Sequence, residues 1–101
     1  MKKLIKDGNV AVIISPDFGA GWSTWNHNPD LLFDPIVVQM VLDGVTAETI
    51  EHYCKTVYGN HYFHAGSLHV VWIPQGTEFK VSEYDGAETI VYKDKMDWVT
   101  A

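Results

Sequence analysis

The apolar and polar positions of the chain fall into two different rhythms, separated by one long stretch with none. Residues 10–15 (VAVIIS) are an almost unbroken β-branched run. A polar Asp7-Gly8-Asn9 turn precedes them and Pro16 follows, the pattern of a strand buried in the middle of a sheet. Residues 16–30 (PDFGAGWSTWNHNPD) have no period and are punctuated by Gly, Ser, Asn and Pro, which predicts a long loop. Loops longer than about twelve residues are uncommon in small domains and tend to carry function. Residues 35–42 (PIVVQMVL) predict a helix with Asp34 as N-cap, Pro35 at the first helical position and Gly44 as stop. Residues 46–58 predict a second helix, with Thr46 able to cap it and Glu48 suited to its first turn. Ile50, Tyr53, Cys54, Val57 and Tyr58 share one of its faces, and Gly59-Asn60 closes it. Residues 68–73 predict a strand and Pro74-Gln75-Gly76 a turn. In residues 78–84 (EFKVSEY) Phe79 and Val81 alternate with Lys80 and Ser82, a half-buried strand. Asp85-Gly86 is a type I′ hairpin signal, and residues 87–92 (AETIVY) return. The order β-α-α-β-β-β predicts an α+β fold: a mostly antiparallel sheet of about four strands with two helices packed on one face. Trp98, in the tail, is expected to dock on this body.

Composition bounds the function. The 101 residues, 47% hydrophobic and 13% aromatic with 20% charged, predict one domain over 1–101 and exclude a disordered chain. The net charge is −6, and all seven basic residues are lysine. Without arginine there is no fork for guanine edges or phosphates, which argues against duplex nucleic acid as a partner. A single cysteine, Cys54, leaves no intrachain disulfide and favours a reducing cytoplasm. The opening MKKLIKDGNVAVIIS begins like a signal peptide, but Lys6, Asp7, Gly8 and Asn9 break its apolar run. The longest uncharged apolar stretch, residues 10–14, falls far short of a membrane span.

Candidate chemistry concentrates in residues 15–27 (SPDFGAGWSTWNH). Gly19 and Gly21 let backbone approach a ligand, and free N–H groups in such a loop can cradle an anion. Ser15, Ser23, Thr24 and Asn26 offer hydrogen bonds, and Phe18, Trp22 and Trp25 offer flat faces for a nucleobase or sugar. The same residues also suit a packed loop whose tryptophans plug the sheet. Gly19-Ala20-Gly21 is neither a P-loop nor a dinucleotide fingerprint, and Gly21-Trp22-Ser23-Thr24-Trp25 lacks the second glycine of a nucleophile elbow. The hairpin brings Glu83, Tyr84, Asp85 and Glu88 close in sequence. Its carboxylates could bind ribose hydroxyls or a cation, act as a base, or be plain turn and surface residues. His61 and His64 have a loose metal-ligand spacing that matches no zinc module, so no metal is expected. No spacing selects a Ser/His/Asp triad, and Cys54 reads as a small core residue.

The segments GAGWSTWN and GTEFKVSEYDGAE, within a similarity that covers most of the chain, resemble a family of small bacteriophage and prophage proteins. The resemblance carries over no catalytic residue. It implies a setting, the host cytoplasm, in which small viral accessory proteins counter host defence, some by sequestering nucleotide signals without cleaving them. The leading expectation is therefore a homo-oligomeric protein that sequesters a nucleotide-like small molecule without a cofactor. Phe18, Gly19, Gly21, Trp22, Ser23, Thr24, Trp25 and Asn26 would form the pocket wall, with Trp22 or Trp25 stacking on a base. Glu83, Tyr84 and Asp85 would contact ribose. The alternative is an acidic module whose aromatic anchors inhibit a host protein. A third option is a small hydrolase using Asp17 or Asp85 with a histidine.

Overall fold

The computed structural model describes residues 2–59 and 61–93; Asn60 and Trp98 lie outside them. The two Asp-Gly pairs build the two tight hairpins. Asp7 and Gly8 have φ of 53° and 79°, and Asp85 and Gly86 have 50° and 86°. Two consecutive positive φ values are what a type I′ turn needs, and Asp-Gly tolerates them at low cost. The first turn joins β1 (Ile5–Lys6) to β2 (Asn9–Ile14), and the second joins β4 (Phe79–Tyr84) to β5 (Ala87–Tyr92). The short β1, too brief to show a period, is an element that sequence pattern alone does not reveal.

β2 is central, as its apolar run predicts: it pairs antiparallel with β1 on one side and with β3 (His69–Pro74) on the other. Ala11, Val12, Ile13 and Ile14 are buried. Residues 16–30, where a plain loop is expected, hold one short helix, α1 (Ser23–Asn26), and the first residue of a second, α2 (Asp30–Phe33). Four-residue helices are below the length at which periodicity is detectable. α3 (Pro35–Leu42) and α4 (Ala47–Tyr58) match the two predicted helices. Ala11 and Ile13 of β2 meet Leu31, Val37, Val38, Ile50, Cys54 and Phe63 in one core. Thr46 stands at the N-cap position of α4, but its hydroxyl meets that of Thr49 at 2.9 Å instead of a backbone N–H. Val57, expected on the apolar face of α4, is 52% exposed.

The fold is α+β, but the strands form two sheets, not one sheet of four. β1-β2-β3 is one, and β4-β5 is a separate two-stranded ribbon. The turn after β3 is closed by Thr77 N–H donating to the Pro74 carbonyl. The ribbon is then tied to the continuation of β2, where the Glu88 N–H donates to the Ser15 carbonyl at 2.9 Å. The backbone groups after β2 thus hold the ribbon at its turn end. None of the described helices is long and apolar enough to cross a membrane.

Candidate functional site at the loop–hairpin seam

Chain segments some 65 residues apart meet in a backbone seam. Gly19 N–H donates to the Asp85 carbonyl at 2.7 Å and Gly21 N–H to the Gly86 carbonyl at 2.8 Å. Glycine is required on both sides. A Cβ on Gly86 would stand 2.8 Å from the backbone nitrogens of Gly19 and Ala20, and one on Gly21 would strike the Trp25 ring at 2.1 Å. Both residues have positive φ, so a side chain would add strain to the clash.

Glu88 locks the seam. Its carboxylate is fully buried and accepts five hydrogen bonds. Oε1 takes the Ser15 N–H at 3.0 Å and the Ser15 hydroxyl at 3.4 Å. Oε2 takes the Trp22 N–H at 3.0 Å, the Thr24 N–H at 3.1 Å and the Thr24 hydroxyl at 2.6 Å. No lysine is among these partners. Neutral dipoles aimed at the oxygens offset the cost of burying the charge. The N–H groups of Ser15, Trp22 and Thr24, none of them a glycine's, form an anion cradle, and the anion it holds is the chain's own.

The strand parity of Glu88 is the signal that could have found it. The register pairs Glu83 with Glu88, Val81 with Ile90 and Phe79 with Tyr92. Glu88 therefore alternates in phase with Ile90 and Tyr92, on the side where an apolar residue is expected.

The predicted site residues divide into two groups. Trp22 is fully buried: its indole N–H donates to the Leu31 carbonyl at 2.8 Å and its ring meets Phe63 edge-on at 5.8 Å. Its stacking role is therefore corrected to a core role. Ser23 is buried, Thr24 is held by Glu88, and the Asn26 side chain donates to the Trp22 carbonyl at 2.8 Å. The second group stays at the surface. Phe18 is 70% exposed, Trp25 40%, Tyr84 77% and Tyr62, absent from the expected set, 55%. Phe18 and Tyr84 meet edge-on at 6.2 Å, and Trp25 and Tyr62 meet at the same separation. The Tyr62 hydroxyl donates to the Gly19 carbonyl at 3.3 Å, which fastens this ring to the seam. Asp17, Glu83 and Asp85 are exposed beside it, and Glu83 accepts the Gly86 N–H at 2.8 Å.

A second buried carboxylate, Asp34, organises the helices. It caps α3 by accepting the Ile36 and Val37 N–H groups at 2.9 and 3.3 Å. It also accepts the Tyr53 hydroxyl at 3.0 Å and the Tyr58 hydroxyl at 2.6 Å. Burial, then the bond to Asp34, pushes Tyr53 up to about 12, and the same causes raise Tyr58 further. Burial, then the charges of Asp34 and Glu51, pushes the Cys54 thiol up to about 12, which keeps it protonated and unsuited to nucleophilic attack. For all three groups the folded value lies above the ordinary one. The stability that Tyr53 and Cys54 contribute is complete below pH 9 and is lost as pH rises through about 12, and that of Tyr58 is lost at still higher pH. In an alkaline titration followed by tyrosinate absorbance, two of the five tyrosines should resist ionisation until the chain unfolds. Ionisation of all five together near the ordinary value would contradict this arrangement.

Among the described residues no three His, Cys, Asp or Glu side chains gather in a way that could hold a metal ion. The hydroxyl of Ser15 faces Glu88, not a histidine. Comparison with protein-family models, with curated proteins and with solved structures gave no match, so the functional reading rests on the geometry of the chain's own residues.

Proposed function

We propose that this chain is a binding module, not a catalyst, and that it docks on a protein partner through the aromatic surface around the seam. The observation that carries this reading is the exposure of Phe18, Trp25, Tyr62 and Tyr84, 40–77%, on a scaffold fixed by backbone bonds and a buried carboxylate. Exposed aromatic clusters on a rigid base are the usual anchors of protein interfaces. The amides of Gly19, Gly21, Trp22 and Thr24 are already engaged within the chain, which leaves little at this place to hold a phosphate. The exposed Asp17, Glu83 and Asp85 and the net charge of −6 favour a partner surface bearing lysine or arginine. Such cations can also rest on the aromatic faces. If the setting is viral, as the resemblance implies, the partner would be a host protein.

The test is affinity capture with the wild-type chain and with a Trp25→Ala/Tyr84→Ala double variant, followed by calorimetry on the purified pair. A partner held stoichiometrically by the wild type, bound about 30-fold more weakly by the variant and weakened by salt, is the expected result. The thermal midpoint of the variant should stay near that of the wild type. Equal affinity in a folded variant would remove the surface from the interface. Self-association dissolved by the same variant would make the partner a second copy of the chain.

A further inference from the structure

We infer that a cleft between α3 and the β1–β2 hairpin, separate from the aromatic surface, is a small-molecule site for a nucleoside monophosphate. The cleft encloses about 500 Å³ and is lined by Leu4, Lys6, Asp7, Asn9, Gln39, Leu42 and Trp72. That volume lies in the range of small-molecule sites, about 300–1,000 Å³. Its floor follows from register. Asn9 shares a face of β2 with Ala11, Ala11 pairs with Trp72, and Lys6 pairs with Asn9. This is the face on which the helices pack, since Ala11 belongs to the core and Leu4 and Trp72 pack against that core. α3 ends at Leu42, which is 49% exposed and lines the cleft together with Gln39 of the same helix.

Its chemistry is mixed in a way that selects a ligand class. Trp72, Leu4 and Leu42 are the apolar part of its lining, and Trp72 brings a planar ring to it. Asn9 and Gln39 bring side-chain amides to the same lining. Their N–H groups donate to the Asp7 carbonyl and to Asp43, and both amide oxygens accept no hydrogen bond among the described residues. They are free to read the exocyclic amine of a base. Lys6 makes no ion pair among the described residues, since the one ion pair found there joins Lys93 to Glu78. Its ammonium offers one phosphate-binding charge. Asp7 beside it suits ribose hydroxyls and disfavours a second or third phosphate. A ring wall, two amides, one cation and one carboxylate match a base, a ribose and a single phosphate.

Lys6 and Gln39 are exposed, so their replacement leaves the core intact. The experiment follows the side-chain amide resonances of Asn9 and Gln39 by NMR while AMP, GMP, CMP and UMP are added in turn. Saturable shifts with a Kd at or below about 1 mM for at least one of them are expected, with the corresponding triphosphate binding no more tightly. Lys6→Ala should weaken binding about tenfold, and Lys6→Ala/Gln39→Ala should abolish it at an unchanged thermal midpoint. No movement of either amide with any monophosphate, the same affinity in the double variant, or shifts centred on Trp25 instead would each overturn the assignment. Since the aromatic surface shares no residue with this cleft, failure here leaves the partner-docking proposal standing, and the reverse.

Discussion

Replacing Glu88 with alanine should lower the thermal midpoint by about 15–30 °C. The variant leaves the N–H groups of Ser15, Trp22 and Thr24 without their acceptor in a buried place. Each orphaned donor costs about 1–3 kcal/mol, so the total is about 4 kcal/mol, and a domain of this length loses about 4–8 °C per kcal/mol. Glu88→Gln should be milder. With its amide nitrogen turned toward Ser15, whose hydroxyl can accept, and its oxygen toward Trp22 and Thr24, only the Ser15 N–H faces a donor. The order Ala, then Gln, then wild type in rising stability is the signature of an internal anion cradle. An alanine variant that melts within about 5 °C of the wild type would show that water replaces the carboxylate without loss, and the cradle would then be no constraint on the loop. The seam makes a second reading of the same experiment possible. Loss of Glu88 frees the loop that carries Phe18 and Trp25, so partner binding should fall even at temperatures where the chain remains folded.

Replacing Asp34 is the second large effect, with a different fingerprint. Asp34→Ala removes a helix cap, worth about 1 kcal/mol, and takes the acceptor from two tyrosine hydroxyls, for a total of about 3 kcal/mol or more. Asp34→Asn keeps the cap, because asparagine is as good an N-cap as aspartate. Its amide nitrogen can donate to the Tyr58 oxygen, since a phenol both gives and takes. The asparagine variant should therefore retain most of the stability and lower the ionisation point of Tyr53 and Tyr58, because the neighbouring negative charge is gone. Denaturant unfolding of the two variants, with tyrosinate absorbance, tests both parts. An asparagine variant as unstable as the alanine one would mean that the charge of Asp34, not its hydrogen-bonding geometry, holds α3 to α4.

The two carboxylates share a logic that fits a chain without arginine. Among the described residues neither is paired with a cation. Each is surrounded by N–H and O–H groups whose dipoles point inward, and each joins elements that no sheet or helix ladder connects. Glu88 ties the β4–β5 ribbon to the loop after β2, and Asp34 ties the start of α3 to the tyrosines of α4. The lysines among the described residues are exposed, and the Lys3 ammonium sits 4.4 Å from the Phe33 ring centre.

What the sequence determined by itself was local. Asp85-Gly86 set a type I′ hairpin, and Asp7-Gly8 a turn ahead of β2, because φ preference belongs to the dipeptide. Asp34-Pro35 set the start of α3 because cap and first-turn geometry lie within four residues. The β-branched run placed β2 in the middle of a sheet because a run apolar on both faces has no solvent side. The clustering of aromatic residues in the loop marked where function should be sought, though not which rings would face out. Only the tertiary structure decided that. Trp22 and Trp25 are three residues apart with the same chemistry, yet one fills the core against Phe63 and the other lies over Gly21 and Gly86 at the surface. The sheet divides in two, and the loop's amides close on Glu88, because residues 15–24 meet residues 85–88 across more than 60 positions of chain. Contacts at that separation are chosen by which arrangement buries the carboxylate with all its donors satisfied. That is a property of the whole fold, and no window of sequence contains it.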